Sequence, residues 1–600
     1  MTRPRIGSAY KYFTQRNEKK GQIVNARAEL TWLNDTSDQN GRTEVLSWDG
    51  RLDNRDDLLL RLKGSLGSDT SNQSLALAAY ERWGTSGFVH LIGDWSIVIR
   101  DAANQSIVLA SDFAGVRPLY YNLRPGGILW SNRLQSLVEA AGVDELDEKY
   151  IAGFLTFGGC PNRTPYKGIH SVPPGRALCV SANGITTKSF WALPVGDSIR
   201  YRDQRRYEDQ LRALFQEAVA VRLQADAPVL AELSGGLDSS SIVCMASHLI
   251  RRGSVGAPRL ISLSYLWKNS LDEPFLREVE AFCSIEGIHL STHDNPLITK
   301  TKVGNAIPAG FEPLWMSASA AASRLGVKVF LTGYNGDLVM GNWWDDSLQV
   351  AESLRHFHIG RAFEDALGWS KHLKIPTSWI LWRAFRTALA PALGPSATFV
   401  PADSSYRPKS TATSLLPSFC ERTGVFEKDG IFSKAWMDAP PERRKHFQAL
   451  TMLLELRSLQ PPEPLQDLDY THPFAHRPLV EFLMAVPADV LCGPGEPRRL
   501  MRRALSDLWP GKLRSRRSKG FFTTPWLEAL RPLAHDLLKR REIEVVERGF
   551  VDRASLLARL ERLTSGLDCN EAQLRQIILL EFWLRHRGLT QLSGVQRRAA

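Results

Sequence analysis

The sequence predicts an α/β protein in two parts: a layered antiparallel-sheet domain, then a doubly wound parallel sheet with helical additions. Three observations support this. Short apolar runs separated by turn residues fill the first 190 or so positions. Strand-like and helix-like patterns alternate between 229 and 331, and the pattern beyond about 341 is helical. We place the domains at residues 1–195 and 205–600.

The elements of the first part are short apolar runs bounded by turn signals, which is typical of antiparallel strands. They are predicted at 45–48, 95–99, 106–110 and 119–121. A Pro- and Gly-containing stretch at 171–176 and a polar run at 196–206 mark the domain junction. A helix predicted at 204–224 leads into the second part.

The second part alternates strands with helices, which predicts a parallel sheet covered on both faces. Strands are predicted at 229–233, 260–265, 288–292 and 327–331, with helices at 273–283 and 318–325.

The stretch 229–241, VLAELSGGLDSSS, predicts a strand, a tight glycine turn and the start of a helix. Backbone N–H groups at such a turn and the positive end of the helix dipole attract phosphate, so we expect ATP to bind here. The predicted nucleotide contacts are Leu233, Ser234, Gly235, Gly236, Asp238, Ser239 and Ser240. The motif does not fit G-x-x-x-x-G-K-[ST], which argues against transfer of the terminal phosphate.

The segment 329–338 contains the end of a second predicted strand and a glycine turn that carries Asp337. Carboxyl ends of parallel strands meet at one crevice, so Asp238 and Asp337 are predicted to hold one Mg²⁺. Gly333 and Leu263 complete the predicted nucleotide site, with adenine near the strand that contains Leu263.

Composition narrows the class of protein. The sequence has 43% hydrophobic residues, no run of 18 apolar residues and no apolar secretion signal, which predicts a cytoplasmic protein without a membrane partner. The seven cysteines never form C-x-x-C, which argues against a zinc site. The net charge is +11, and nine Lys or Arg lie between 498 and 519. That segment admits three interpretations: a nucleic-acid surface, a cationic wall for phosphates or an acidic peptide, or a solvated helix face.

Several segments resemble the glutamine-hydrolysing asparagine synthetases. The SGGLDSS motif is similar to the pyrophosphate loop of ATP pyrophosphatases, and 468–479 to V-E-x-R-x-P-F-L-D. Residues 48–54, WDGRLDN, resemble F-N-G-E-I-Y-N, and 110–121 resemble A-R-D-x-x-G-x-x-P-L-Y-Y. The resemblance implies a glutamine-amidotransferase-like domain of the N-terminal-nucleophile type, then an adenylating ATP pyrophosphatase domain.

The first domain departs from that family at its reactive site. The family's nucleophilic Cys at position two is Thr2 here, and its oxyanion Asn is Asp49, whose carboxylate can only accept hydrogen bonds. The acid that holds the glutamine amine is Asn72. We therefore expect a degenerate domain that does not hydrolyse glutamine.

The second domain most resembles lasso-peptide macrolactam synthetases. That resemblance implies ATP and Mg²⁺ as cofactors, adenylation of an Asp or Glu side chain of a precursor peptide, and attack by the peptide's N-terminal amine. Lys519 is predicted to neutralise pyrophosphate, and Asp469 to take the amine proton, helped by Tyr470 or His472. A leader-binding protein and a leader peptidase are the expected partners.

Other interpretations remain open from the sequence. Within ligases they are an ammonia-dependent asparagine synthetase or a β-lactam synthetase. An RNA-modifying ATP pyrophosphatase and a non-catalytic scaffold are the others, although we expect no nucleic-acid partner. Asp469 is also compatible with a helix cap, and His472 with a packing role.

Overall fold

The structure is a computed structural model, and part of the chain is described. The described residues are 29–32 and 43–598, without 126, 157–159, 161, 195–197, 224–226, 257, 299–306, 342–346, 390–412, 427–438, 440–442, 456 and 517–522. Within these residues, none of the helices has the length and apolarity needed to span a membrane.

The described residues of the N-terminal part form nine strands and four helices. The strands are β1 Glu29–Trp32, β2 Glu44–Gly50, β3 Trp95–Asp101, β4 Ser106–Ser111, β5 Tyr120–Arg124, β6 Gly127–Ser131, β7 Ile169–Ser171, β8 Arg176–Ser181 and β9 Gly184–Ser189. The helices are α1 Arg55–Arg61, α2 Asn72–Trp83, α3 Leu134–Ala141 and α4 Glu148–Leu155. The strands form two antiparallel sheets, β2-β3-β4-β8-β9 and β1-β6-β5-β7.

Alternating side chains of the central strand β3 explain the layers. Ile97 and Ile99 face the cluster that contains Leu58 of α1 and Leu75 of α2. Val98 faces the other sheet and packs in a cluster with Trp130. The result is helix, sheet, sheet and helix, which confirms the predicted layered antiparallel domain.

The second part is built on five parallel strands. The new strands are β10 Val229–Glu232, β11 Leu260–Leu266, β12 Glu286–Ser291, β13 Val329–Leu331 and β14 Asp469–Thr471. Their order is β12-β11-β10-β13-β14. The chain therefore runs outward from central β10 in both directions, which confirms the doubly wound sheet and leaves the carboxyl ends of β10 and β13 side by side.

Helices cover this sheet and extend the domain. Around the sheet are α5 Arg205–Ala220, α6 Leu237–Arg251, α7 Glu273–Cys283, α8 Glu312–Arg324 and α9 Gly336–Val339. The additions are α10 Ser347–Arg355, α11 Ile359–Leu373, α12 Thr377–Leu389, α13 Pro417–Thr423, α14 Arg444–Glu455, α15 Arg477–Ala485, α16 Ala488–Leu491, α17 Arg499–Leu505, α18 Gly511–Ser515, α19 Thr523–Leu538, α20 Glu544–Glu547, α21 Arg553–Thr564 and α22 Glu571–Arg598.

The last helices pack back onto the N-terminal domain. Leu137 of α3 and Ile151 of α4 share a buried cluster with Leu560 of α21 and Ile577 of α22. The two parts therefore share an apolar core, formed by α3 and α4 of the first part and the last helices of the second.

Candidate active site

The first glycine turn joins β10 to α6. The backbone N–H of Ser234 donates to Ser239 Oγ at 3.1 Å, which ties the turn to the first turn of the helix. Gly235 has φ +74°, and a Cβ on it would lie 2.7 Å from the carbonyl oxygen of Asp272. Only glycine fits this position without distortion. The turn leads directly into the amino end of α6, a 15-residue helix whose dipole favours anions at that end.

The second glycine turn, after β13, presses directly against the first. A Cβ on Gly333 would lie 3.0 Å from the Ser239 nitrogen, and one on Gly336 would lie 2.6 Å from Asp238 Cγ. The absence of side chains at these two positions lets the turns touch. The structure thus brings Asp238 and exposed Asp337 onto adjoining turns at the carboxyl edge.

Asp238 already has a cationic partner. Arg498 donates from Nη2 to Asp238 Oδ2 at 2.6 Å, and both side chains are largely buried. The described residues contain no group of three or more His, Cys, Asp or Glu that could hold a metal. Mg²⁺ usually takes one or two carboxylates plus substrate phosphates and water. The two carboxylates of Asp238 and Asp337 therefore fit an ion that arrives with ATP.

Arg516 of the basic segment supports the same turn. Its Nη1 donates to the Gly235 carbonyl at 2.6 Å, its Nη2 pairs with Asp272, and its guanidinium lies 4.1 Å from the Phe275 ring centroid. The sequence indicates this basic segment by its charge. It gives no sign that Arg498 and Arg516 are the residues that reach Asp238 and the Gly235 carbonyl. Lys519, the predicted pyrophosphate contact, lies outside the described residues.

The remaining predicted nucleotide contacts are buried. Leu233 and Leu263 have fully buried side chains, and the Leu233 N–H donates to the Leu263 carbonyl at 2.8 Å. Ser240 is also fully buried within α6. For the two leucines, contact with adenine would therefore involve the backbone, just after β10 for Leu233 and within β11 for Leu263.

His472 lies at the carboxyl end of β14 and is fully buried. Its Nδ1 is 2.6 Å from Thr332 Oγ1, and its Nε2 is 2.7 Å from the Leu459 carbonyl. Burial lowers the pKa of His472 to about 4, so the ring is neutral, with Nε2 donating and Nδ1 accepting. Both nitrogens are engaged in fixing β14 beside the second turn, which leaves neither for a reacting amine.

Tyr470 is also buried, and it stacks on Phe330 with ring centroids 5.4 Å apart. Burial raises the pKa of its phenol. Tyr470 therefore forms part of the core beneath the carboxyl edge.

Asp469 lies at the other end of its strand. It pairs in register with Val329, the first residue of β13, whereas the glycine turns follow the last residues of β10 and β13. Arg117 of the N-terminal domain pairs with its Oδ1, and Arg51 Nη1 lies 3.6 Å away. The structure brings Asp469 together with the N-terminal domain rather than with the glycine turns.

Thr471 continues this contact between the domains. Its hydroxyl accepts from Arg51 at 3.0 Å and Arg222 at 2.9 Å, and donates to Asp94 at 2.5 Å. Arg222 and Asp94 are almost completely buried. A buried network of arginines and carboxylates therefore holds β14 against the N-terminal domain.

A cluster that the sequence did not reveal lies on the α8 face of the carboxyl edge. Glu232 ends β10, and Tyr334 of the second glycine turn is 46% exposed. The rings of Tyr334 and His472 are 6.0 Å apart, and those of Tyr470 and His472 are 5.1 Å apart. Partial burial and the carboxylates of Glu232 and Asp337 raise the pKa of the Tyr334 phenol. The alternation along β10 was the available signal, since Glu232 interrupts an apolar run.

In the first domain, the two residues expected at the glutamine site, Asp49 and Asn72, have side-chain partners within that domain. Asn132 donates to Asp49 Oδ2 at 3.1 Å, and Arg55 donates to the Asn72 side-chain oxygen. Thr2 lies outside the described residues.

Comparison with known proteins agrees with both halves of this fold. The family model described as asparagine synthase matches residues 210–585, more than half of the chain, and a glutamine amidotransferase domain model matches 36–191. Amidase chyE of Penicillium rubens is 32% identical over 31% of this chain and 28% of its own length. Asparagine synthetase [glutamine-hydrolyzing] 3 of Bacillus subtilis is 30% identical over 36% of this chain and 35% of its own length. The maize asparagine synthetase [glutamine-hydrolyzing] is 25% identical over 56% of each chain. The alignments thus span less than two thirds of each relative.

Proposed function

Because this chain belongs to the asparagine synthase family, we propose that it is an ATP-dependent ligase that forms an amide bond through an acyl-adenylate. The observation that carries the proposal is the contact of two glycine turns at the carboxyl edge, Gly333 against Ser239 and Gly336 against Asp238. Such an edge, with a helix amino end and two carboxylates, suits a nucleotide triphosphate.

In the proposed first step, a substrate carboxylate attacks the α-phosphate of ATP and pyrophosphate leaves. The turn at 234–236 and the amino end of α6 bind the phosphates, and Arg516 keeps the turn in place. Asp238 and Asp337 would hold Mg²⁺, and the chemistry it would supply is neutralisation of negative charge on pyrophosphate. Lys519 is also proposed to neutralise this charge.

In the second step, an amine attacks the acyl carbon and AMP leaves. A protonated amine must first lose its proton. We assign the proton acceptor to Glu232, at the carboxyl end of β10, in place of Asp469, at the amino end of β14. Asp469, Tyr470 and His472 are assigned to positioning, since they fix β14 beside Thr332 and the second turn.

The proposed substrate is a precursor peptide whose Asp or Glu side chain is joined to its own N-terminal amine, as in lasso-peptide synthesis. Internal pairing of Asp49 and Asn72 in the first domain supports a nitrogen that comes from the substrate and not from glutamine. A leader-binding protein and a leader peptidase are the proposed partners, in a cytoplasmic setting.

Asparagine synthesis from free ammonia is the second candidate, and the names of the relatives in Bacillus subtilis and maize favour it. The distinguishing assay measures AMP and pyrophosphate release from ATP and Mg²⁺. One arm contains a precursor peptide from a small open reading frame beside the gene, together with leader-processing partners, and the other contains aspartate and ammonia. Peptide-dependent AMP release with loss of one water from the core peptide supports macrolactam formation. Turnover only with aspartate and ammonia would replace that proposal with asparagine synthesis.

Two variants separate the proposed steps. Glu232→Gln should lower amide formation at least tenfold and leave ATP–pyrophosphate exchange within about twofold, because only the second step needs a proton acceptor. Asp469→Asn should reduce stability, as its partners are structural. Equal loss of exchange and of amide formation in Glu232→Gln would remove the assignment of Glu232.

A further inference from the structure

Helix α12 exposes an unusual set of aromatic side chains. Trp379, Trp382 and Phe385 are 45%, 53% and 58% exposed. Trp382, Phe385 and Leu389 follow the i, i+3, i+7 spacing of one helix face. Large exposed apolar residues scattered singly are ordinary, whereas several on one short helix mark an interaction surface.

The neighbouring helix and the turn before it repeat this feature. Phe357, between α10 and α11, is 86% exposed, and Ile359, Phe363 and Leu367 of α11 are 60%, 50% and 46% exposed at i, i+4, i+8. The inward faces are already satisfied, since Ala366, Trp369 and Ile380 belong to the buried cluster of this hairpin. The exposed residues are therefore not required by the core of α10–α12.

The surface is also cationic. The Arg383 guanidinium lies 4.5 Å from the Trp379 ring centroid, and that of Arg386 lies 4.7 Å from the Trp382 centroid. Helix α12 contains no Asp or Glu. Residues 355–389 hold six Lys or Arg against two Asp or Glu.

We propose that the exposed face of α11 and α12 docks an acidic, apolar peptide segment of a partner protein. Tryptophan and arginine dominate binding energy at protein interfaces, and carboxylates of the partner would pair with guanidinium groups already fixed on the rings. The inference does not depend on which amide the ligase forms.

Two other occupants fit the surface less well. A second copy of the same face would bring like charges together. In a bilayer, guanidinium groups that lie over the tryptophan rings would be carried toward hydrocarbon, which is unfavourable. A peptide with carboxylates between its apolar residues satisfies both parts of the surface.

The test uses the full chain and two fluorescein-labelled helical peptides, with leucine at i, i+3, i+4 and i+7 and either Glu or Lys at the other positions. We expect the Glu peptide to bind at least tenfold more tightly than the Lys peptide in an anisotropy titration. Its binding should weaken as salt is raised. Equal binding of the two peptides, or binding of neither, would overturn the proposal.

The location is tested with the double variant Trp382→Ser, Arg386→Glu. We expect at least a tenfold loss of Glu-peptide binding. The matched control is Phe282→Ser, Arg251→Glu, which removes another exposed aromatic with a cation over its ring, 6.0 Å from the centroid, and should change binding less than twofold. Equal losses in both variants overturn the location.

Two parallel measurements address the other occupants. The first is cosedimentation of the chain with phosphatidylglycerol vesicles, and the second is formation of a concentration-dependent dimer. If the double variant loses either of these but still binds the Glu peptide, the peptide assignment is overturned.

Discussion

The glycine corner at the last residue of β2, Gly50, and the glycine turn after β10 have similar backbone constraints. Gly50 has φ +125°, and a Cβ on it would lie 2.0 Å from the Asp94 carbonyl. Gly235 has φ +74°, with the Asp272 carbonyl 2.7 Å from the same position. Both corners require glycine because a second segment of backbone crosses at close range.

The two corners differ in the direction of their polar groups. Beside Gly50, Asp49 pairs with Asn132, and Arg51 extends across the domain interface to Thr471. Beside Gly235, the turn faces a helix amino end and exposed Asp337. The difference teaches that two corners with similar backbone constraints can direct their polar groups differently, toward internal contacts at Gly50 and toward the carboxyl edge of the sheet at Gly235.

The comparison predicts the largest effect at Gly235, in the first glycine turn. Gly235→Ala would place a side chain against the Asp272 carbonyl in a left-handed conformation, which strains the turn by about 1–3 kcal/mol. We expect ATP–pyrophosphate exchange to fall by about 100-fold, because the proposed phosphate site is formed by this backbone.

The matched control is Gly253→Ala, since Gly253 also has positive φ, +65°, but no atom within 4 Å of the added Cβ. It carries the same backbone strain without the clash and should retain exchange within about threefold. A similar loss of exchange in both variants would show that backbone strain at an unrelated glycine is enough to reduce exchange. It would then give no support for a special role of the first glycine turn.

The next effect tests the network that joins the domains. Arg117→Ala leaves Asp469 without its closest partner in a partly buried position, where the Arg117 side chain is 9% exposed. We expect the free energy of unfolding to fall by about 3 kcal/mol, measured by urea denaturation.

Arg133→Ala is the control, because Arg133 pairs across the same interface with Asp467, whose side chain is 68% exposed. An exposed pair contributes about 1 kcal/mol or less. If Arg117→Ala is as mild as Arg133→Ala, the buried network does not hold the domains together.

The comparison also shows what the sequence could predict. The strand, glycine turn and helix at 229–249 were predictable because their signals are local: an apolar run, two glycines and a helix start. Adjacency of the two glycine turns followed from a general property of parallel sheets. The placement of Asp238 and Asp337 on adjoining turns agrees with that reasoning.

Asp469 could not be placed in the same way. Its partner Arg117 is 352 residues away in the sequence, and the contact of Arg51 with Thr471 spans 420 residues. A three-residue strand gives no local sign of which of its ends faces a ligand. Asp469 was therefore predicted as a base from its motif, whereas the structure pairs it with arginines of the other domain.

His472 gives a smaller effect that depends on pH. Burial lowers its pKa in the folded state to about 4, so between about pH 6.5 and 4 the unfolded chain binds a proton that the folded chain does not. This group therefore reduces stability as pH falls through that window, by about 1.4 kcal/mol per pH unit, and has no effect above it.

His472→Gln should flatten that part of the stability profile relative to the unmodified chain, measured by urea denaturation at each pH. The exposed His535→Gln variant should give a profile parallel to the unmodified one. Parallel profiles for both variants would show that His472 does not remain neutral in the folded chain over this pH range.

The smallest effect is expected near the Gly50 corner of the N-terminal domain. The family resemblance aligns Thr2 with a nucleophilic cysteine, but the side chains of Asp49 and Asn72 are engaged by Asn132 and Arg55. Thr2→Ala should therefore leave amide formation within about twofold, and glutamine should yield no glutamate with either chain, measured by coupled glutamate detection. Glutamate release that disappears in Thr2→Ala would show that the threonine hydroxyl is an active nucleophile. The two glycine corners would then differ in the reaction they support, and not in whether they support one.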